Sequence, residues 1–375
     1  MSAPRIDADE ILDGIRTWVE AETPTDDAPA VNRLMDRVAG DFAALGAGVE
    51  RVPGRGGFGD HLSVRSAWGD NDGPGVLVLC HLDTVHPIGT LARYPFRVEG
   101  DAAYGPGIYD MKGGAYLAYY AYRHLVRTGR TTPLPVRLLY VSDEEVGSVT
   151  SRALIEAEGR RARYVLVTEP ARDGGRVVTA RKGTARFRIT FRGRPAHSGS
   201  RHADGRSAIR ELARQVLVLE GLTDYARGVT VNVGVVRGGT RENVVPEEAL
   251  ALVDLRLPTL ALGAELVERI RGLAPFDPDV RIEVEGGLNR PPFERSPAIA
   301  ALFEHARRLA AGIGFALEDT ATGGGSDGNF TAATVPTLDG LGVDGDGAHT
   351  HDERLFVSSL APRATLLLRL FETLR

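Results

Sequence analysis

The sequence predicts an α/β protein: a mixed, mainly parallel sheet flanked by helices, with a small ferredoxin-like α+β domain inserted into it. Three observations predict this. Strand-like and helix-like patterns alternate over the first 170 residues, as in a parallel sheet covered on both faces. Near residue 181 the order changes to β-α-β-β-α-β, a ferredoxin-like sequence of elements. After Pro291 and Pro292 the helix–strand texture returns. The expected division is therefore 1–180 and 292–375 for the two parts of one domain, and 181–291 for the insertion.

The elements follow in order. Ile11, Ile15, Trp18 and Val19 fit one face of an amphipathic N-terminal helix, and 31–45 carries a second helix that stops at Gly46. The run 76–80 is continuously apolar, as expected of a strand buried on both faces. A helix over 112–126, a strand over 136–141, a helix over 148–158 and a strand over 164–168 come next. In the insertion, RFRITFR at 186–192 alternates polar and apolar like a strand with one wet face. It is followed by a helix over 205–219, strands over 229–236 and 249–257, a helix over 264–273 and a strand over 281–285.

Composition excludes several classes of function. The 375 residues hold 45 Lys+Arg against 50 Asp+Glu, a net charge of −5, so the basic face that nucleic acid demands is not expected. Cys80 is the sole cysteine, which rules out an internal disulfide and a Cys-rich zinc site. No run approaches the roughly 18 apolar residues of a membrane span. The N-terminus lacks a basic n-region and an apolar h-region, so the expectation is a cytoplasmic protein.

Groups that can carry chemistry recur at strand ends, where ligands of α/β sheets gather. His81 and Asp83 follow the buried run 76–80, and Asp143, Glu144 and Glu145 close the strand over 136–141. Glu169 follows the strand over 164–168, Asp110 lies in GPGIYDMKGG, and His349 and His351 lie in GDGAHTHDERL. Singly, each has a plain alternative: a surface histidine, a capping acid in a glycine turn, a solvated acidic turn. Together, histidines and carboxylates without cysteine suit two Zn2+ ions that share a carboxylate and a water. His197, Asn243, Arg256 and Arg290 are polar residues at turns or strand ends of the insertion, suited to an oxyanion and a substrate carboxylate.

From about residue 76 to 359 the chain resembles a zinc metallopeptidase family. It comprises glutamate carboxypeptidases, aminoacylases, acetylornithine deacetylases and succinyl-diaminopimelate desuccinylases. The segments HLDTV, PFRVEGDAAYGPGIYDMKGG, SDEEVGS, TEP, GRPAHSG, ENVVP, RPPF and TGGGSD carry the likeness, which is strongest to the bacterial glutamate carboxypeptidases. The resemblance implies a zinc-exopeptidase-like fold whose inserted domain is a lid and dimerisation domain. It implies two Zn2+ per chain, with Co2+ or Mn2+ as substitutes: His81, Asp110 and Glu169 at the first, Asp110, Glu145 and His349 at the second. It makes Glu144 the general base and Asp83 the acid that orients His81. His197 and Asn243 would bind substrate or oxyanion, and Arg256 and Arg290 the substrate carboxylate. It also implies a cis peptide at Asp110–Met111. Between His349 and His351, the resemblance favours His349, whose spacing to Glu353 matches the family's pattern.

The expected activity is release of a C-terminal amino acid, glutamate by preference, from an N-acyl or peptidyl substrate. Deacylation or desuccinylation of an N-acyl amino acid is the alternative, and a non-catalytic ligand-binding protein the distant one. The expected partners are that small-molecule substrate and a second copy of the chain, with neither nucleic acid nor membrane.

Overall fold

Apolar periodicity decides the first element. Helix Ala8–Val19 buries Ile11, Ile15, Trp18 and Val19 on one face, and the Asp7 carboxylate caps it by accepting from the Asp9 and Glu10 amides. Helix Ala28–Ala44 buries Val31, Leu34, Met35, Val38 and Phe42, with Asp27 as its cap. The computed structural model describes residues 6–70 and 72–375; residues 1–5, where the expected N-terminal helix begins, lie outside them. The described chain forms two compact units: residues 6–180, 295–322 and 326–375, and residues 181–294 with 323–325.

The first unit is built on a six-stranded sheet with the spatial order Gly48–Val52, His61–Arg65, Val136–Val141, Gly75–His81, Ala162–Val167, Thr337–Leu338. Gly75–His81 runs parallel to both neighbours, and Thr337–Leu338 parallel to Ala162–Val167. The two outer strands Gly48–Val52 and His61–Arg65 pair antiparallel. The mainly parallel sheet is thus present, with an antiparallel edge. Every residue of Gly75–His81 and of Val136–Val141 is buried, as strands covered on both faces require.

Helix Gly113–Arg127 covers this sheet with four buried tyrosines, Tyr116, Tyr119, Tyr120 and Tyr122. Tyr116 meets Trp18 edge-on at 5.0 Å, which joins this helix to the N-terminal one. A second, small sheet orders Gly345–Asp346, Arg354–Phe356, Ala102–Tyr104 and Arg97–Glu99. Its strands are two or three residues long, too short to leave a readable period in the sequence.

The segment after the first helix is strapped to the end of Gly75–His81. Thr23 Oγ1 donates to the Leu82 carbonyl at 2.6 Å, the Thr84 amide to the Thr23 carbonyl at 2.8 Å, and the Thr25 amide to the Thr84 carbonyl at 3.2 Å.

The second unit has the order Gly183–Arg192, helix Ala208–Glu220, Thr230–Gly238, Glu248–Leu257, helix Leu260–Arg271, Arg281–Arg290. Counting its strands one to four along the chain, the antiparallel sheet runs two, three, one, four, the ferredoxin-like arrangement. One face is apolar: Phe187, Ile189, Phe191, Val253 and Leu255 pack with Leu212, Leu219, Leu266 and Ile270 of the helices. The last strand continues five residues beyond the 281–285 read from alternation, because Gly286 and Gly287 interrupt the pattern without ending the pairing. Among the described residues, no helix is long and apolar enough to cross a membrane.

Candidate metal centre

Parallel strands pointing the same way deliver their last residues to one rim. His81 is the final residue of Gly75–His81, and Glu144 and Glu145 open a short turn three residues past Val136–Val141. Glu169 lies two residues past Ala162–Val167. Asp110 comes from the segment ahead of helix Gly113–Arg127, where Asp110 (φ −115, ψ 95) and Met111 (φ −130, ψ 29) depart from helical geometry and the peptide between them is cis. Gly114 lets that helix approach: a Cβ there would lie 1.9 Å from the Thr168 carbonyl, beside Glu169. His349 sits between the short strands Gly345–Asp346 and Arg354–Phe356, at φ +64, a left-handed backbone that histidine adopts more readily than most residues.

The side chains converge in two groups, His81 with Asp110 and Glu169, and Asp110 with Glu145 and His349. Asp110 belongs to both, and its two oxygens face different partners. Oδ1 lies 3.3 Å from His81 Nε2, and Oδ2 lies 3.5 Å from His349 Nε2. His81 Nε2 is 3.6 Å from Glu169 Oε1, and His349 Nε2 is 3.0 Å from Glu145 Oε2. Atoms bound at about 2.0–2.2 Å around a tetrahedral zinc stand about 3.3–3.6 Å apart, so the donor set fits a pair of divalent cations bridged by one carboxylate.

Electrostatics agree. Burial, with Asp110 and Glu144 nearby, pushes the Glu145 carboxyl up to about 7 against the pull of His349. Its Oε1 is buried without a hydrogen-bond partner among the described residues. Burial would also raise Asp110, but hydrogen bonds with His349 and His81 outweigh it and hold that carboxyl well below its usual range. Hydrogen bonds to Asp110 and Glu145 lift His349 to about 10. The bare cluster therefore draws protons onto its imidazoles to balance its carboxylates, a balance that a dication supplies instead.

His81 Nδ1 lies 3.0 Å from the Asp83 carbonyl and 3.5 Å from Asp83 Oδ1. A carbonyl only accepts, so Nδ1 carries a hydrogen, and loss of the Nε2 proton leaves that nitrogen's lone pair facing the cluster. The Asp83 carboxylate also accepts from Thr25 Oγ1 at 2.8 Å and from the amides of Glu144 and Glu145 at 3.3 and 3.2 Å. Glu144 is half-buried and outside both ligand groups. His351 is also outside them; its ring stacks on Tyr94 at 4.0 Å.

The remaining candidates belong to the second unit. His197 is exposed, and its Nδ1 accepts from the Gly199 and Ser200 amides at 3.1 and 3.2 Å. Asn243 is exposed beside it, its carbonyl accepting from the Ser198 amide at 3.1 Å. Arg256 and Arg290 flank Thr184 on the two neighbouring strands. Arg290 is buried, whereas Arg256 is clamped by both oxygens of Asp254 at 2.7 and 3.2 Å. Sequence reasoning passed over His86, Lys112 and Thr25, and took from Glu353 only its spacing. Each is a buried polar side chain within five residues of a candidate or, for Thr25, bonded to one; the sequence carried no pattern that marks them.

A family profile described as peptidase family M20/M25/M40 matches residues 77–373. Carboxypeptidase G2 of Pseudomonas sp. (strain RS-16) is 30% identical over 363 residues, covering 94% of this chain and 86% of its own. Succinyl-diaminopimelate desuccinylase of Bordetella petrii is 30% identical over 325 residues, covering 81% and 84%. Among solved structures, aminopeptidase PepT from Bacillus cereus superimposes with a TM-score of 0.80 at 22% identity, covering 98% of each chain. The M20 family metallo-carboxypeptidase Sso-CP2 from Sulfolobus solfataricus gives 0.72 at 17% identity, covering 97% of this chain and 100% of its own. At these identities the structures speak to the fold.

Proposed function

The chain belongs to peptidase family M20/M25/M40, a hydrolase of carboxypeptidase type, and from that premise we propose that it is a dinuclear zinc amidohydrolase releasing a C-terminal amino acid, glutamate by preference, from an N-acyl or peptidyl substrate. The observation that carries this reading is Asp110, whose two oxygens face His81 and His349 separately at 3.3 and 3.5 Å.

In the proposal, His81, Asp110 and Glu169 hold one zinc, and Asp110, Glu145 and His349 the other. Bound there, the metals would supply a water of lowered pKa, from about 15.7 towards 7, and a polarised scissile carbonyl. Glu144 takes the proton of that water and returns it to the leaving nitrogen. Asp83 serves twice, fixing the His81 tautomer through its carbonyl and holding the Glu144–Glu145 turn through its carboxylate. Adjacent glutamates thereby take different tasks. His197 and Asn243 are assigned to substrate or oxyanion, and Arg290 to the substrate carboxylate. Arg256 is assigned there too, in competition with Asp254. A homodimer through the second unit rests on its edge strand Thr230–Gly238, where Val235 and Val236 are exposed; sedimentation as a 40 kDa species alone would remove it.

A deacylase reading is favoured by the likeness to a desuccinylase. The two are separated by turnover of acyl-glutamates and peptidyl-glutamates against acetylornithine and succinyl-diaminopimelate. Glutamate substrates should lead by at least tenfold in kcat/KM; preference for a basic amino acid ends the glutamate assignment. Glu144→Ala should lower kcat by about 100-fold or more while leaving two zinc per chain, and retained activity would refute the base.

A further inference from the structure

The segments carrying His81, Asp110 and His349 meet at one side chain that the mechanism leaves unassigned. Glu353 is 2% exposed. Its Oε1 accepts from the amides of Tyr109 and Asp110, both at 2.9 Å, and its Oε2 from the Gly107 amide at 2.9 Å. The same Oε2 lies 2.7 Å from His86 Nε2. The Glu353 carbonyl accepts from the Gly105 amide at 3.2 Å. We propose that Glu353 is a positioning residue: it locks the backbone that carries the bridging Asp110 to the segment that carries His349, and so fixes the pocket of the second cation.

This inference rests on the dinuclear reading and deepens it. The turn around Asp110 departs from helical geometry, so the amides at 107, 109 and 110 need an acceptor from elsewhere, and all three take Glu353. A bridging carboxylate tolerates little drift, because a rotation that serves one imidazole withdraws the second oxygen from the other. His349 is four residues from Glu353 and His86 five from His81. One carboxylate therefore ties three ligand-bearing segments that are distant in the chain. Two of the three donors of the second group lie on segments it ties, Asp110 through its own amide and His349 through the chain four residues away. The first group keeps His81 and Glu169, which follow central strands of the sheet.

Glu353→Gln keeps the shape but exchanges an acceptor oxygen for an NH2 donor. If the amide oxygen serves Tyr109 and Asp110, the NH2 faces the Gly107 amide, donor against donor. The test is a zinc titration against a chromophoric chelator, with cobalt absorption as a second readout, on wild type, Glu353→Gln and His86→Ala. Wild type should bind two ions. Folded Glu353→Gln should hold its first ion within about threefold of wild type and its second about 10- to 100-fold more weakly, with the cobalt bands of the second ion altered. His86→Ala, which spares the three amide bonds, should weaken the second ion by a smaller factor. Two ions bound to Glu353→Gln as tightly as to wild type, or both weakened equally, overturn the proposal while leaving the dinuclear reading intact. Should Glu353→Gln not fold, unchanged second-ion affinity in His86→Ala overturns it. A wild type that binds no ions overturns the dinuclear reading and the proposal together.

Discussion

The two units place their buried charge differently. In the first, His81, Asp83, Asp110, Glu169 and Glu353 are all less than 10% exposed and crowd the rim of a parallel sheet. In the second, the buried charges among the described residues are Arg181, Glu211 and Arg290, and most acid–base pairs lie towards the surface: Arg192 with Glu248 and Glu283, Arg206 with Asp279, and Arg227 with Glu265. Such exposed pairs add little stability, and the sandwich is held by its apolar layer. Buried charge is costly unless compensated. The difference teaches that the first unit keeps an arrangement its own fold does not reward, which is where a cation-dependent activity belongs.

The largest test of that contrast is Asp110→Asn. Taking one charge from both ligand groups should empty the site of metal and lower kcat/KM by more than about 1,000-fold, seen by elemental analysis beside an activity assay; full metal content would break the contrast. Next is Phe191→Ala in the second unit. Deleting a fully buried aromatic should cost about 3–5 kcal/mol, measured by denaturant unfolding, with zinc content per folded chain unchanged. A loss of metal instead would show that the two roles are not separate.

A smaller effect concerns pH. Burial pushes the His61 imidazole below its usual range, outweighing the opposing pull of Asp143, Asp83 and Asp60. Its folded pKa is thus lower than its unfolded one, so the unfolded chain binds the extra proton. The stability it contributes is present above about pH 6.5 and lost as pH falls through the folded value. Thermal melts of wild type and His61→Gln should diverge in that direction; a wild type whose excess stability grows on acidification would reverse the assignment. Smallest is Arg192→Ala, whose melting temperature should match wild type within error, because the pair is exposed.

Much of the candidate site was legible in the sequence because the fold makes it so. Parallel strands have continuous apolar runs, and their next residues face one rim, which singles out His81, Glu144, Glu145 and Glu169. The glycines around Asp110 fitted a capping acid equally well, so its bridging role came from the family resemblance, as did the preference for His349 over His351, through the family's spacing to Glu353. What stayed hidden was long-range and polar: the His86–Glu353 pair spans 267 positions, and no local period records it. The strands of the second sheet were hidden by brevity, and the extension of Arg281–Arg290 by two glycines.

The strap formed by Thr23 and Thr25 has a practical consequence. The Lys112 ammonium donates to the Ala21 carbonyl at 2.7 Å, and Thr25 Oγ1 holds the same carboxylate that props the turn of the two glutamates. Residues 21–25 are therefore part of the scaffolding of the candidate metal centre. Cutting the chain after residue 25 would unbuckle the two-glutamate turn from behind, although Thr23 and Thr25 stand outside both ligand groups.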